Sequence, residues 1–188
     1  TLFRSISRVK PWSAPGPDGI HPIILLQTRD SLATILRTIF NKCWDQGYFP
    51  AEWNKENRIY IPKPEKPDYT NSKSYRGISL TSTTGKILER IVDLRLHEYI
   101  SKMGLLDKYQ YAYQKDKSIT QALLYFTLSV TRDLKAGKSS VACYVDLEGA
   151  FDAAWREGII YLLYKAGLRG KLHHAVASYL RDRRVKSI

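Results

Sequence analysis

Apolar positions along this chain change their spacing several times, and each change marks an element. Over residues 23–46, Leu32, Ile35, Leu36, Ile39, Phe40 and Cys43 recur at helical intervals and define one face, and Gly47 and Pro50 close the run. Residues 57–61 and 75–80 instead read as short strands. Pro62, Pro64 and a polar, turn-rich stretch separate them, which predicts a β-hairpin with a long loop. Helical spacing returns over 84–101, with Leu88, Val92, Leu96 and Tyr99 in line, Ile87, Ile91 and Leu94 beside them, and Gly104 as terminator. Ser118 and Gln121 have the spacing of a capping box, ahead of a helix that carries Ala122, Phe126, Val130 and Leu134 and ends at Gly137. Residues 141–147 form an apolar, β-prone run that reads as a buried strand. Helices follow over 155–166, ended by Gly167, and around Leu172, Ala175, Val176 and Tyr179, and residues 183–188 read as the opening of another strand. The order helix, hairpin, helix, helix, strand, helix, helix is α+β rather than an alternating doubly wound sheet.

One segment has no periodicity. Residues 11–22 hold four prolines and two glycines, the signature of a rigid turn segment. It reads either as a linker or, with Trp12, Asp18 and Ile20 built in, as a loop packed against something fixed.

Charge narrows the class of partner. Thirty Lys and Arg face 18 acids, a net charge of +12 across 188 residues, more than solubility asks of a domain this size. A polyanion bound with counterion release is the natural partner. The basic residues are not gathered on one amphipathic helix, and no apolar run has the length of a membrane span, so no membrane partner is expected. Cys43 and Cys143 both sit in apolar surroundings and read as core thiols in a reducing compartment. With no secretory segment at the start, the expected location is intracellular, nucleus or cytoplasm. Thr1 at one end and a nascent strand at the other read as cuts through a longer protein.

Several residues carry candidate chemistry. Asp146 stands at the end of the apolar run, where an acid is costly unless paired, and a metal is one such partner. Mg²⁺ takes hard oxygen ligands, commonly one or two carboxylates with substrate phosphates, and the carbonyl of Leu147 is a further candidate ligand. Asp146 reads equally as a strand-end residue capping a loop. Asp152, six residues on, suits the cap of the helix that follows. Phe151 is either core or the wall of a sugar pocket. Lys63 and Arg76 flank the hairpin loop, where an ammonium and a guanidinium fork suit a triphosphate, or they decorate a solvated basic hairpin. Arg181, Arg183, Arg184 and Lys186 form the densest charge cluster, either a set of contacts to backbone phosphates or a solvated run.

Taken together, these residues resemble the reverse transcriptase domain of non-LTR (LINE-like) retrotransposons, in motif order and over nearly the whole chain. Ala14-Pro15-Gly16-Pro17-Asp18-Gly19-Ile20 resembles the motif that precedes the fingers. Ile61-Pro62-Lys63-Pro64 and Tyr75-Arg76-Gly77-Ile78-Ser79-Leu80 resemble the two fingers strands, and Lys86-Ile87-Leu88-Glu89-Arg90 the helix after them. The stretch 110–122, the palm motif 146–152 and Ser178-Tyr179-Leu180 complete the series. The resemblance implies a truncated right-hand polymerase fold: residues 1–140 as fingers and residues 141–188 as the first, incomplete part of the palm. It implies Asp146 as the catalytic aspartate that binds two Mg²⁺ ions, with Mn²⁺ as a substitute, and Leu147 as a neighbouring metal and nucleotide ligand. It implies Phe151 as the aromatic under the nucleotide sugar that excludes a 2′-hydroxyl. It implies Lys63 and Arg76 as the grip on the incoming dNTP, with RNA template, DNA primer and the remaining palm and thumb of the same polypeptide as partners.

The departures from the pattern carry expectations of their own. Gly77 stands where the family has proline, which loosens the backbone beside Arg76. Ala112-Tyr113-Gln114 stands where the family has Gly-Phe-Arg, so a positive φ at Ala112 would produce a clash. No Tyr-x-Asp-Asp turn follows Asp152, and Glu157 and Asp182 are the remaining acids after it. The chain is therefore expected not to polymerise alone, and a non-catalytic nucleic-acid-binding remnant is the alternative to a working RNA-directed DNA polymerase. The run 141–147 is also expected to leave an apolar strand edge open to aggregation.

Overall fold

The computed structural model describes residues 2–147, 149–150, 153–181 and 183–188, apart from the side chains of residues 3 and 4. Among these the fold is mixed α+β, with several helices and one small three-stranded sheet. In chain order the elements are α1 (Leu2–Ile6), α2 (Pro22–Gln27), α3 (Arg29–Gln46), β1 (Lys55–Pro62), β2 (Tyr75–Thr81), α4 (Thr83–Lys102), α5 (Ile119–Lys135), α6 (Arg156–Lys165), α7 (Gly170–Leu180) and β3 (Arg184–Ser187). The chain divides into two compact units, one made of residues 1–99 with 156–188 and the other of residues 100–155.

The first unit is built on two cores. Ile6, Leu25, Leu36, Phe40, Cys43, Phe49, Ile87 and Leu88 bury together, with Ile20, Trp53 and Tyr179 packed on them. Val92, Ala175 and Val176 form the second core, flanked by Leu96, Leu163 and Leu172. The expected helix over 23–46 is two helices, because the backbone turns out of α geometry at Thr28 (φ −96°, ψ 10°), whose hydroxyl donates back to Ile24 O at 2.7 Å. The buried stripe of α3 is Ala33, Leu36, Phe40 and Cys43, while Ile35 and Ile39 are exposed. At 100° per residue those two fall off the inward line. Gly47, at φ +60°, ends α3 in the left-handed conformation, and its amide donates to Cys43 O and Trp44 O.

The sheet has strand order β2-β1-β3. β1 and β2 pair antiparallel without a bulge, from Glu56↔Thr81 to Pro62↔Tyr75. β3 pairs with β1 in parallel, Lys55↔Arg184 through Arg58↔Ser187. The hairpin is the expected one, lengthened at both strands, and its loop is pinned by Tyr69 OH donating to Lys63 O at 3.0 Å and by a Tyr69–Tyr75 edge contact.

The 11–22 segment packs rather than links. Gly16 is buried, and a Cβ on it would lie 2.4 Å from the Thr81 carbonyl carbon. Thr83 Oγ1 donates to Ile20 O at 3.1 Å, and Ile20 N donates to Asp18 Oδ1 at 3.1 Å. Trp12 takes no part and is 84% exposed.

The second unit differs in kind, because none of its described residues is buried. α5 forms where expected, and its capping box closes as the sequence spacing requires: Gln121 N donates to Ser118 Oγ at 3.2 Å and Ser118 N to Gln121 Oε1 at 2.8 Å. Its apolar stripe is nevertheless exposed, with Phe126 and Leu134 both open to water. The expected strand over 141–147 is a correction of the same kind. Those residues have no regular structure, and Val141 is 96% exposed. A strand exists only by pairing, and among the described residues no strand pairs with this segment. Cys143 is exposed with this segment, so only Cys43 is a core thiol. Phe151 and the Asp152 cap lie outside the described residues.

Candidate functional site

The pleat of the sheet sorts its charges. Successive side chains on a strand point to opposite faces, and residues directly opposite on neighbouring strands share a face. With the observed registers, one face carries Lys55, Asn57, Ile59 and Ile61 from β1, Arg76, Ile78 and Leu80 from β2, and Arg184 and Lys186 from β3. The ladder runs one rung beyond β1, where Lys63 N donates to Ser74 O at 2.8 Å. Lys63 therefore follows Ile61 onto the same face, diagonal to Arg76. Candidates drawn from three separate stretches of sequence thus meet on a single surface of the first unit.

These side chains are available to different degrees. Lys63 Nζ donates to Lys73 O at 2.7 Å, which draws its ammonium toward the loop. Arg76, Arg184 and Lys186 are exposed, and their side chains have no hydrogen-bond or ion-pair partner among the described residues. Ile61 and Ile78 lie between them, 45% and 41% exposed. The result is an open, cationic face with apolar ground between the charges. Such a face suits a phosphate backbone with sugar or base edges laid against it. Lys55, opposite Arg184, joins the set, although its ammonium is held by Glu52 at 2.7 Å. Period-two alternation along Lys55-Asn57-Ile59-Ile61-Lys63 was the sequence signal for it.

The opposite face uses its charges internally. Glu56 is buried, and it accepts from Arg183 Nη2 at 2.9 Å and from Arg58 Nη2 at 3.3 Å. Burial opposes its charged form. Hydrogen bonds from Arg183 and Ser79, with the charges of Arg183 and Arg58, outweigh that and hold the carboxyl below the ordinary glutamate value. Arg183 also lies over the Tyr179 ring, 4.9 Å from its centroid. Arg181 is engaged elsewhere, donating from Nε and Nη2 to the two Glu157 oxygens at 3.1 Å each. That fork keeps the Glu157 carboxyl below its ordinary value. Of the basic tail, Arg184 and Lys186 face outward, and Arg181 and Arg183 are committed to ion pairs.

Gly77 has a steric role on this second face. A Cβ there would sit 3.1 Å from Arg58 Cδ and 3.5 Å from the Tyr60 ring, so the glycine leaves room for the Arg58 stem. Among the described non-glycine residues of the second unit, positive φ falls at Tyr113 (+58°) and Asp116 (+61°), not at Ala112. Alanine at that position is therefore unstrained.

Asp146 lies in the second unit, exposed on irregular backbone, and its carboxylate has no partner among the described residues. Leu147 beside it is 73% exposed. Among the described residues the donors there are one carboxylate and an adjacent carbonyl, too few for a site for two divalent ions. Among the described residues, no three or more His, Cys, Asp or Glu side chains gather as metal ligands. No helix among the described residues is long and apolar enough to cross a membrane.

Comparison with known proteins gives one consistent result. The family described as "Reverse transcriptase (RNA-dependent DNA polymerase)" matches residues 61–187. The chain is 27% identical over 171 residues to the "Probable RNA-directed DNA polymerase from transposon BS" of Drosophila melanogaster, covering 91% of this chain and 19% of that protein. It is 29% identical over 170 residues to the "RNA-directed DNA polymerase from mobile element jockey" of the same organism, covering 90% of this chain and 18% of the relative. It is 31% identical over 147 residues to the "Putative 115 kDa protein in type-1 retrotransposable element R1DM", also of Drosophila melanogaster, covering 78% of this chain and 14% of the relative. The chain thus spans about a fifth or less of the length of these relatives.

Proposed function

The chain belongs to the reverse transcriptase (RNA-dependent DNA polymerase) family, with relatives in non-LTR (LINE-like) retrotransposons, and from that premise we propose that, taken by itself, it is a non-catalytic, nucleic-acid-binding portion of such a domain. The carrying observation is the sheet face on which Arg76, Arg184 and Lys186 stand exposed and unpaired among the described residues, with Lys63 beside them. Counterion release from a bound phosphate backbone would supply most of the affinity. That no three or more potential metal ligands gather among the described residues supports the non-catalytic half of the reading.

Within a longer polypeptide, the family match favours a second reading. Residues 1–140 would contribute fingers and residues 141–188 the opening of a palm. Lys63 and Arg76 would hold the triphosphate of a dNTP. Asp146 and the Leu147 carbonyl would give part of a Mg²⁺ site, Mn²⁺ substituting, and the other carboxylates would come from elsewhere in that polypeptide. Phe151 would flank the sugar. RNA template and DNA primer would be the partners.

A salt titration tests the first reading. Binding of an RNA–DNA hybrid should weaken as salt rises, and Arg184→Gln with Lys186→Gln should flatten the log–log slope by about 1 for each phosphate left without its cation. Arg181→Gln should leave the slope unchanged, because its guanidinium is already spent on Glu157. Absence of binding at low salt would refute the binding role. Mg²⁺-dependent primer extension by this chain, abolished by Asp146→Asn, would refute the non-catalytic one.

A further inference from the structure

A cavity of about 340 Å³ opens in the first unit, lined by α3, α4 and Leu2 of α1. Ligand pockets run from roughly 300 to 1,000 Å³, so this one has room for a single bulky group. Phe40 and Leu88, both buried, and the partly buried Ile91 give it an apolar floor. Its walls are polar. α3 contributes Arg37, Asn41 and Trp44, which share a helix face at i, i+4 and i+7, and α4 contributes Arg95, one turn beyond Ile91.

Arg95 is held in place by the pocket itself. Its Cζ lies 3.6 Å from the centroid of the Trp44 ring. A guanidinium held over an indole face keeps its N–H edge available to fork onto a carboxylate. Arg37, Asn41 and Arg95 are exposed, and their side chains have no hydrogen-bond or ion-pair partner among the described residues. No acid is found among the described residues that line the cavity. Two uncompensated guanidiniums, one from each helix, thus flank an apolar pocket.

That combination selects an occupant. The apolar floor rewards a bulky side chain, and the two guanidiniums reward carboxylates beside it. A nucleic acid has no aliphatic or phenyl group to fill the floor, and the Trp44 face that a base would stack on already carries Arg95. The Asn41 amide, donor and acceptor together, suits a peptide backbone.

We propose that this pocket docks an acidic segment of a partner protein, anchored by one bulky apolar side chain with carboxylates on either side. The anchor would rest on Phe40, Leu88 and Ile91, and the carboxylates would meet Arg37 and Arg95. The pocket shares no residue with the basic sheet face and does not depend on nucleic-acid binding there.

Fluorescence anisotropy on the full chain tests it, with a short labelled peptide of aspartate and glutamate around one central phenylalanine. A peptide with serine in place of the phenylalanine has the same charge and isolates the anchor. The phenylalanine peptide should bind about tenfold more tightly. Arg37→Gln with Arg95→Gln should weaken it by about tenfold or more and bring the two peptides close to parity. Equal affinity for the two peptides in the unaltered chain overturns the pocket and leaves the sheet face standing, and so does a preference that survives in the arginine variant. Single-stranded RNA that displaces the phenylalanine peptide, and that itself loses binding in the arginine variant, would assign the pocket to nucleic acid and overturn the proposal. Should circular dichroism find that variant unfolded, photocrosslinking decides, with benzoylphenylalanine as the central residue of the peptide and the unaltered chain as target. Adducts at Phe40, Leu88 or Ile91 support the pocket, and adducts confined to residues outside it overturn it.

Discussion

Arg183 donates from Nη2 to Glu56 Oε2 at 2.9 Å, joining groups 127 residues apart in sequence. Both side chains are largely out of water, Glu56 at 3% and Arg183 at 18% exposure. The pair clamps β3 to β1 from the face that does not carry Arg184 and Lys186. Removing one partner leaves the other charged in a poorly hydrated place. Glu56→Gln should therefore cost about 3–5 kcal/mol, read as a lower urea midpoint. Pairing it with Arg183→Met should restore much of the loss. A single variant as stable as the parent would show that the clamp is not needed.

The same pair sets a pH dependence. The Glu56 carboxyl titrates below its unfolded value of about 4.3. The unfolded chain therefore takes up this proton first as pH falls. The clamp contributes in full above about pH 4.3, and its contribution fades as pH drops through the lower folded value. The stability gap between the parent and Glu56→Gln should be constant near neutrality and shrink in acid. Urea titrations from neutral pH downward measure it, and a gap that widens in acid would contradict the assignment.

Gly16 is fixed by the approach of β2. Its Cβ position lies 2.4 Å from the Thr81 carbonyl carbon and 2.5 Å from Ser82 N, both backbone atoms that cannot swing aside. Gly16→Ala should force the loop off the β2–α4 junction at a cost of about 1–3 kcal/mol. Gly19→Ala makes a sterically milder comparison, since nothing lies within 4 Å of its Cβ position, although its φ of +67° still disfavours a side chain. Chemical denaturation of both variants should rank Gly16→Ala as the more damaging.

The two cysteines should separate by reactivity. Cys43 is buried in α3, and burial pushes its thiol above the ordinary value. Cys143 is exposed. A thiol reagent should modify Cys143 in the folded chain and reach Cys43 only on unfolding. Equal rates in native buffer would contradict the core placement of Cys43.

The sequence made local structure legible where local rules decide it. The hairpin follows from two β-prone runs around a polar loop, and the α5 start follows from Ser118 and Gln121, because a capping box closes within one turn. What depends on distant partners was hidden. Nothing in residues 183–188 announces that they pair in parallel with β1, so the division of the tail into outward Arg184 and Lys186 and inward Arg183 could be seen only once the register was known. Residues 141–147 show the reverse error, since a run that reads as a strand remains irregular when no strand lies beside it. Asp146 was legible as a candidate through its motif, and its surroundings were not, because a metal site is a convergence of separate elements.

The parallel docking of β3 has a consequence for synthesis. A ribosome delivers β1 long before β3, on the order of ten seconds apart at elongation rates of roughly 5–20 residues per second. Through that interval the nascent sheet is a bare hairpin, Glu56 has Arg58 but not yet Arg183, and one flank of β1 is open. The whole of residues 100–155 emerges meanwhile as an insertion between the two sequence halves of the first unit. Completion of that unit therefore waits on β3, and chaperone occupancy of nascent chains should peak before β3 appears and fall once it does.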